Sequence, residues 1–136
     1  MKNNKTYPIQ KSDLEWRKIL NEESFRVLRE KGTESPFSGK YNEHYETGTY
    51  NCKGCNTPLY SSKNKFDSNC GWPSYDASLP GALEYSQDHS HGMARTEILC
   101  SSCGGHQGHV FNDGPTHTGE RYCVNAAGIQ FNPDEK

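Results

Sequence analysis

The sequence is short of aliphatic side chains and contains no long apolar run. Only 19 of its 136 residues are Leu, Ile, Val or Phe, and the mean hydropathy is −1.02. So few large apolar residues combined with a high net charge would indicate disorder, but the net charge is only −2. The chain therefore folds with other means of support, and its 15 aromatic residues and six cysteines are the candidates.

Further absences narrow the classes of partner and the cellular location. The near-neutral charge argues against a nucleic-acid partner. No stretch approaches the roughly 20 apolar residues of a membrane span, and the polar N-terminus has no signal-peptide region. We therefore expect a cytoplasmic protein that contacts neither nucleic acid nor membrane. In reducing cytosol, spaced cysteines more often bind metals or act in catalysis than form disulfides.

The length predicts a single domain over residues 1–136, beginning with a helical arm at about 12–32. Ser12 and Glu15 fit a capping box at the start of a first helix. Asn21 suits the cap of a second helix, and Gly32 suits its exit. The apolar faces expected of these helices are Leu14, Ile19 and Leu20 in the first and Phe25, Val27 and Leu28 in the second.

A β core is predicted over residues 41–132, approximately. Short stretches rich in Thr, Tyr and Phe alternate there with Gly, Asn, Pro and Ser, which is typical of short strands joined by turns. Four stretches in particular are expected to be strands: Gly48–Cys52, Pro58–Tyr60, Arg95–Cys100 and Gly128–Phe131. The sequence therefore predicts a mainly β protein with antiparallel strands and N-terminal helices.

Four of the six cysteines form two Cys-x-x-Cys pairs, Cys52/Cys55 and Cys100/Cys103, which are separated by 44 residues. A two-residue gap lets both sulfurs of a pair reach one ion, and four thiolates complete a closed tetrahedral zinc site. The long separation indicates that the metal clamps two distant hairpins. We therefore expect one structural Zn²⁺ per chain, bound by all four residues.

Two other arrangements of the cysteines are compatible with their spacing. One is a disulfide frame, which the expected cytosolic location disfavours. The other is a local metal site made of Cys100, Cys103, His106 and His109, each three residues from the next. This local site would leave Cys52 and Cys55 unexplained.

Cys123 is one of two cysteines outside these pairs. Alternate residues of a strand share a face, so Arg121, Cys123 and Asn125 are predicted to point into one site. A nearby guanidinium favours the thiolate, which is the reactive form of cysteine. A lone cysteine is more often an inert, buried small hydrophobe. The Arg and Asn on the same predicted face favour a reactive thiol instead.

Two histidines and a tryptophan extend this candidate site. His106 and His109 would face opposite sides of a regular strand, so a bulge or bend at Gly108 is needed to bring them together. Histidines near a thiolate suit proton transfer close to neutral pH. Trp72, two residues after Cys70, suits an apolar wall for a methyl group bonded to sulfur. The alternatives are surface or core histidines and a tryptophan of the ordinary core.

Besides the two cysteine pairs, the chain contains four further motifs: Cys70-Gly71-Trp72-Pro73-Ser74, Ser90-His91-Gly92-Met93, Gly108-His109-Val110-Phe111-Asn112-Asp113-Gly114-Pro115 and Gly119-Glu120-Arg121-Tyr122-Cys123-Val124-Asn125. Taken together, these motifs resemble the B-type methionine sulfoxide reductases over roughly Trp16 to Phe131. The resemblance implies two small antiparallel sheets in a β-tent-like arrangement with N-terminal α-helices. It also implies a bracing zinc that lies away from the active site.

The resemblance further implies a peptide-methionine (R)-S-oxide reductase, an oxidoreductase that acts on sulfur with a disulfide as acceptor. Its substrate would be methionine-R-sulfoxide in peptides and proteins, with free methionine-R-sulfoxide as a second candidate. Its reductant would be thioredoxin. Cys123 would be the catalytic residue and Cys70 the resolving residue of a Cys70–Cys123 disulfide, in a monomer. The other implied site residues are His106 and His109 at the sulfoxide oxygen, Arg121 and Asn125 beside the nucleophile, Asp113 behind them, and Trp72 against the substrate methyl group.

Two different functions are compatible with parts of the pattern. One is a zinc-braced β module that binds a ligand without chemistry, but such a protein has no need of Cys123 with Arg121 and Asn125. A Cys–His acyl-transfer enzyme uses a similar nucleophile, but it gives no role to Cys70. Assays with a sulfoxide substrate and with a peptide ester separate these hypotheses.

Overall fold

The computed structural model describes residues 7–33, 46–66, 71–89, 92 and 94–133. Within these ranges the chain forms two α-helices followed by two antiparallel sheets, which confirms the predicted mainly β fold. Cys70 and the motif residues Ser90, His91 and Met93 lie outside the described residues. None of the helices in the described ranges is long and apolar enough to cross a membrane.

Both helices begin at the side-chain caps that the sequence predicts. Helix α1 spans Asp13–Ile19, and the capping box is complete, since the Ser12 hydroxyl accepts from the Glu15 amide and the Glu15 carboxylate accepts from the Ser12 amide. Helix α2 spans Glu22–Glu30, and Asn21 Oδ1 accepts a hydrogen bond of 2.8 Å from an amide in its first turn. Side-chain caps of this kind satisfy amides that have no partner within the helix.

The predicted apolar face of α1 is confirmed for Leu20 and wrong for Leu14 and Ile19. Leu14 and Ile19 are 66% and 55% exposed, whereas Trp16 and Leu20 are buried. The two buried residues are four positions apart and share one face of a helix. A seven-residue helix has too few turns for its periodicity to distinguish this face from the one that was predicted. In α2, by contrast, Phe25, Val27 and Leu28 are buried as expected.

The exit of α2 also differs in detail from the prediction. The residue in the left-handed conformation is Lys31, with a φ of 58°, rather than Gly32. Glycine is the usual residue in this conformation because it has no Cβ. Lys31 adopts this conformation although its Cβ atom makes the backbone less favourable. Its ammonium group lies 3.0 Å from a carboxylate oxygen of Glu97.

Nine strands are present in the described ranges. Their bounds are β1 Gly48–Cys52, β2 Pro58–Ser61, β3 Lys65–Phe66, β4 Ser74–Tyr75, β5 Leu83–Asp88, β6 Arg95–Cys100, β7 His106–Phe111, β8 Arg121–Val124 and β9 Ile129–Pro133. A three-stranded sheet has the order β2-β1-β9, and a six-stranded sheet has the order β3-β4-β8-β7-β6-β5. The last strand starts later than predicted because Ala126–Gly128 forms a short 3₁₀ turn.

Tyrosines join the two sheets where aliphatic side chains are scarce. Tyr50 of β1 and Tyr60 of β2 contact Tyr75 of β4, with ring centroids 5.4 Å and 4.5 Å apart. All three residues are fully buried. Aromatic pairs of this geometry add about 0.5–1.5 kcal/mol beyond the burial of their area. Aromatic packing therefore compensates for the small number of aliphatic residues.

Candidate active site and metal centre

Strand β8 places Cys123 between two neighbouring strands of the six-stranded sheet. Cys123 lies directly opposite Ser74 of β4 on one side and His109 of β7 on the other. Directly opposite residues in antiparallel strands project from the same face of the sheet. The register therefore brings His109 to the face on which Cys123 lies.

Arg121 contacts the sulfur of Cys123, as the alternation along the strand predicts. Its Nη1 atom lies 3.3 Å from Cys123 Sγ. The rest of the guanidinium is fixed by Asp113, which accepts hydrogen bonds of 2.8 Å from Nε and 3.0 Å from Nη2. These hydrogen bonds hold the pKa of Asp113 below its usual range. A fixed cation beside the sulfur favours the thiolate form.

A β-bulge brings the two histidines to one side, as the prediction required. Ile98 of β6 pairs with Gly108, but Leu99 pairs with His106, so Gln107 is the extra residue of β7. The imidazole rings of His106 and His109 consequently lie 5.6 Å apart. The bulge falls at Gln107, next to the predicted Gly108, because Gln107 is buried and hydrogen-bonds to Tyr60 and to the Gly128 carbonyl.

Gly108 is expected to tolerate no side chain. Its φ is 152°, and a Cβ atom would collide with the carbonyl oxygen of Cys123. We expect Gly108→Ala to lower the free energy of unfolding by about 3 kcal/mol, measured by urea denaturation. Gly81→Ala is the matched control, because Gly81 has a φ of 70° but no atom within 4 Å of the added Cβ. A cost of about 1 kcal/mol is expected there, and equal costs at both positions would contradict the steric explanation.

Each histidine is paired with a carboxylate that the sequence analysis did not single out. His106 Nδ1 lies 2.7 Å from Glu97 Oε2, and His109 Nε2 lies 2.7 Å from Asp88 Oδ2. Burial lowers the pKa of His109 despite its hydrogen bond to Asp88. Burial alone would raise the pKa of Glu97, but hydrogen bonds from His106 and Lys31 outweigh it and lower that pKa. Glu97 is therefore a buried, ionised carboxylate.

A cavity of about 270 Å³ lies against these groups. It brings together five predicted site residues: Trp72, His109, Arg121, Cys123 and Asn125. Phe111, Arg95, Thr33 and Gly108 complete its wall. His106 lines an adjoining cavity of about 280 Å³, which shares Arg95, Thr33 and His109 with the first. The cavity thus combines a cysteine sulfur with a cation, aromatic walls and an imidazole.

Two predicted site residues have a different relation to this cavity. Asp113 contacts Arg121 from outside, and its side chain is 61% exposed. Asn125 lines the cavity and is also anchored to the bulge, since its side-chain and main-chain nitrogens donate to the Gln107 carbonyl at 3.3 Å and 3.0 Å. Cys70, the predicted resolving residue, is outside the described residues, so its distance from Cys123 stays a prediction.

The four paired cysteines form one cluster, as predicted. Their sulfur atoms all lie within 4.8 Å of one another. The Cys52–Cys103 and Cys55–Cys100 separations are 3.7 Å and 3.5 Å. A tetrahedral zinc ion with Zn–S bonds of about 2.3 Å would place sulfurs about 3.8 Å apart, so the donor set fits zinc.

This geometry excludes the two alternatives for these cysteines. The sulfur separations are far above the disulfide bond length of about 2.05 Å, and all four residues are free thiols. The local site with His106 and His109 is not formed in the described part of the chain, where the ligand atoms that cluster for a metal are the sulfurs of all four cysteines and neither histidine joins them. The cysteine cluster and the cavity lie at opposite ends of β6, about 17 Å apart along the strand from Cys100 to Arg95.

Each cysteine pair lies in a tight turn that ends with a left-handed residue. That residue is Asn56 after the first pair and Gly104 after the second, with φ values of 66° and 76°. Its amide donates to the carbonyl of the first cysteine, Cys52 or Cys100, at 2.8 Å in both turns. The same local structure is thus repeated in two separate hairpins, and their meeting makes the cluster.

The SelR domain family model matches residues 20–133. The chain belongs to this family. Relatives include the "Peptide methionine sulfoxide reductase MsrB" of Teredinibacter turnerae, which is 56% identical over 126 residues covering 92% of this chain and 93% of that protein. A protein with the same name in Herminiimonas arsenicoxydans is 51% identical, over 93% of this chain and 93% of that protein. Another in Leptospira interrogans is 52% identical, over 92% of this chain and 96% of that protein. The SelR match spans the second helix, both cysteine pairs and the cavity residues from Trp72 to Asn125.

Proposed function

We propose that this chain reduces methionine-R-sulfoxide in peptides and proteins to methionine and so repairs oxidised proteins. The observation that carries the proposal is the Cys123 sulfur, held 3.3 Å from Arg121 in a cavity walled by Trp72 and Phe111. The name shared by its relatives, peptide methionine sulfoxide reductase, supports the same reaction. We further propose that the protein acts as a cytoplasmic monomer with thioredoxin as its reductant.

In the first step the Cys123 thiolate attacks the electrophilic sulfur of the sulfoxide. The oxygen is a poor leaving group until it is protonated, and His106, His109 or a water that they hold supplies this proton. The oxygen is then transferred to Cys123, and methionine is released. One sulfoxide, one thiolate and one proton thus give one thioether and one sulfenic acid on Cys123.

The walls of the cavity position the substrate for this attack. Trp72 and Phe111 supply aromatic surface against which a methyl group bonded to sulfur packs favourably. The guanidinium of Arg121 lies beside the Cys123 sulfur, where a cation favours the thiolate, and Asp113 holds Arg121 in place. Asn125 joins the cavity to the bulge that carries the histidines.

In the second step the Cys70 thiol condenses with the sulfenic acid of Cys123. A disulfide forms, one water molecule leaves, and the nucleophile is protected from further oxidation. Thioredoxin then reduces the disulfide through a mixed disulfide, and its own two thiols become the oxidised product. The position of β4 supports this role, because Ser74 lies opposite Cys123 and is only four residues after Cys70.

The cysteine cluster has a separate role in this proposal. Cys52, Cys55, Cys100 and Cys103 would hold one Zn²⁺ per chain, which braces two hairpins and has no open position for a substrate. None of the four residues takes part in the redox cycle. Their sulfurs are expected to stay reduced and bound to metal throughout turnover.

The reaction is tested with a peptide that carries both epimers of methionine sulfoxide. We expect consumption of the R epimer alone, together with the loss of two reactive thiols per chain in a single turnover without reductant. Chiral chromatography and thiol titration measure the two quantities. Consumption of the S epimer, or of neither epimer, would contradict the proposal.

Cys70→Ser tests the resolving step separately. We expect the variant to release one methionine per chain at close to the wild-type rate and then to stop, because thioredoxin has no disulfide to reduce. The measurement is methionine release with and without the thioredoxin system, and trapping with dimedone detects the sulfenic acid on Cys123. Continuous turnover of the variant with thioredoxin would show that Cys70 is not the resolving residue.

A further inference from the structure

The two active-site histidines use different ring nitrogens to contact their carboxylates. His106 uses Nδ1 toward Glu97, and His109 uses Nε2 toward Asp88, both at 2.7 Å. A hydrogen bond between a neutral imidazole and a carboxylate places the ring proton on the nitrogen that makes the bond. In their neutral forms the two histidines are therefore opposite tautomers, and the nitrogens not bonded to carboxylates are Nε2 of His106 and Nδ1 of His109.

The partner of His106 is unusual because it is a buried carboxylate. Glu97 is 3% exposed, and an isolated carboxylate at such a position would favour its neutral form. Lys31, at the end of α2, lies 3.0 Å from the second carboxylate oxygen. This lysine is 66 positions away in the chain and is held by a left-handed backbone. The helical arm thus supplies the cation that neutralises Glu97.

The other ring nitrogen of His106 has no hydrogen-bond partner among the described residues. His106 Nε2 is buried, and the whole side chain is only 4% exposed. Most buried polar atoms have partners, and an exception indicates a catalytic role or a bound water. The charged groups around this ring are Glu97 and Lys31, and His109, Asp88 and Arg95 line the same cavity.

We propose that Glu97, neutralised by Lys31, is a positioning residue that holds His106 as the Nδ1–H tautomer and leaves Nε2 to exchange the proton. This inference rests on the proposed function for its reaction. In the reduction step the proton on Nε2 of the imidazolium passes to the sulfoxide oxygen, directly or through water. The ring is left neutral with its proton on Nδ1, and it regains the second proton from solvent. Helix α2 is therefore part of the active site.

The tautomers are measured in the resting protein by nitrogen-15 NMR of the histidine rings. The spectra are recorded across a pH titration, and in the neutral form of each ring we expect His106 to carry its proton on Nδ1 and His109 to carry it on Nε2. The His106→Gln and His109→Gln variants assign the two sets of signals. An Nε2–H tautomer at His106 would overturn the proposal. Since this measurement needs no substrate, it remains decisive even if the protein does not reduce sulfoxides.

The rate of methionine release in the first turnover tests whether the contact between Glu97 and His106 accelerates the reaction. Glu97→Gln keeps the shape of the side chain but removes its charge, and we expect a loss of about tenfold or more. Glu30→Gln on α2 is the matched control, because its carboxylate is exposed and lies 3.8 Å from Arg17 alone. An unchanged rate in Glu97→Gln would overturn the positioning role, whereas a wild-type protein without any sulfoxide reduction would overturn the proposed function.

A substitution at Lys31 tests the same contact without replacing the buried Glu97, so it stays informative even if Glu97→Gln does not fold. Glycine suits the left-handed position of Lys31, so Lys31→Gly removes the ammonium without straining the end of α2. We expect the first-turnover rate to fall by about threefold to tenfold, with a thermal midpoint close to that of wild type. Lys31→Arg restores the cation and should recover most of the rate. A rate in Lys31→Gly equal to that of wild type would overturn the role of the lysine.

Discussion

Replacement of Cys123 with serine is expected to abolish methionine sulfoxide reduction. We expect the rate to fall by more than about 10⁴-fold, the scale of loss when a covalent nucleophile is removed. A hydroxyl beside Arg121 does not ionise near neutral pH, so the group that attacks the sulfoxide sulfur is lost. The measurement is methionine release in a single turnover at equal concentrations of enzyme and substrate.

Comparison with Cys70→Ser distinguishes loss of the attacking sulfur from loss of the resolving sulfur. Both variants lose one sulfur, but only Cys70→Ser is expected to release one methionine per chain. Thermal unfolding of Cys123→Ser should match that of wild type, because Cys123 is only partly buried and serine is similar in size. Sulfoxide reduction by Cys123→Ser at more than a trace would show that another residue is the nucleophile.

Loss of the metal is expected to unfold the protein. Structural zinc in small domains contributes an apparent free energy of about 10–16 kcal/mol, which exceeds or equals the whole stability of most domains, about 5–15 kcal/mol. We therefore expect Cys52→Ser or Cys103→Ser to lose bound zinc and the cooperative unfolding transition together. Zinc content by atomic spectroscopy and circular dichroism during heating measure the two effects.

Cys123→Ser is the matched control for these variants, because it should retain both zinc and the unfolding transition. Replacement of zinc with Co²⁺ adds a test of the ligands, since a tetrahedral site with four thiolates has a characteristic absorption spectrum. A stable, metal-free protein with all four cysteines reduced would contradict the bracing role. So would a Co²⁺ spectrum that indicates imidazole ligands.

Metal loss should also affect the active site through α2. The helix packs on the second cysteine turn, where Arg29 donates a hydrogen bond of 3.1 Å to the Cys103 carbonyl and Leu28 lies against Gly105. Lys31, two residues after Arg29, reaches Glu97 from the end of the same helix. The cysteine cluster, the helical arm and His106 are thus linked by direct contacts.

Local patterns were sufficient to predict several parts of this protein. The capping box at Ser12, the cap at Asn21 and the facing of Arg121 with Cys123 depend on residues a few positions apart. The cysteine pairs likewise form their turns through short-range hydrogen bonds. Periodicity failed in α1, where seven residues were too few to show that Trp16 rather than Leu14 faces the core.

The partners of the histidines could not be predicted in this way. Glu97 lies on β6 next to Ile98, and both residues are buried, so the strand has no polar face that alternation would reveal. Asp88 and Lys31 reach the site from β5 and α2. The pairing of strands and the packing of a helix decide such contacts, and neither leaves a periodic signal in the chain.

The sequence by itself determined the chemistry that this protein has available: four cysteines spaced for one metal, a separate thiol two positions from an arginine, and two histidines three positions apart. These properties follow from residue type and short spacing, which covalent geometry transmits directly. Only the tertiary structure decided which carboxylate holds each histidine and through which nitrogen. That choice depends on the bulge at Gln107 and on strand register, which are set by packing between residues far apart in the chain.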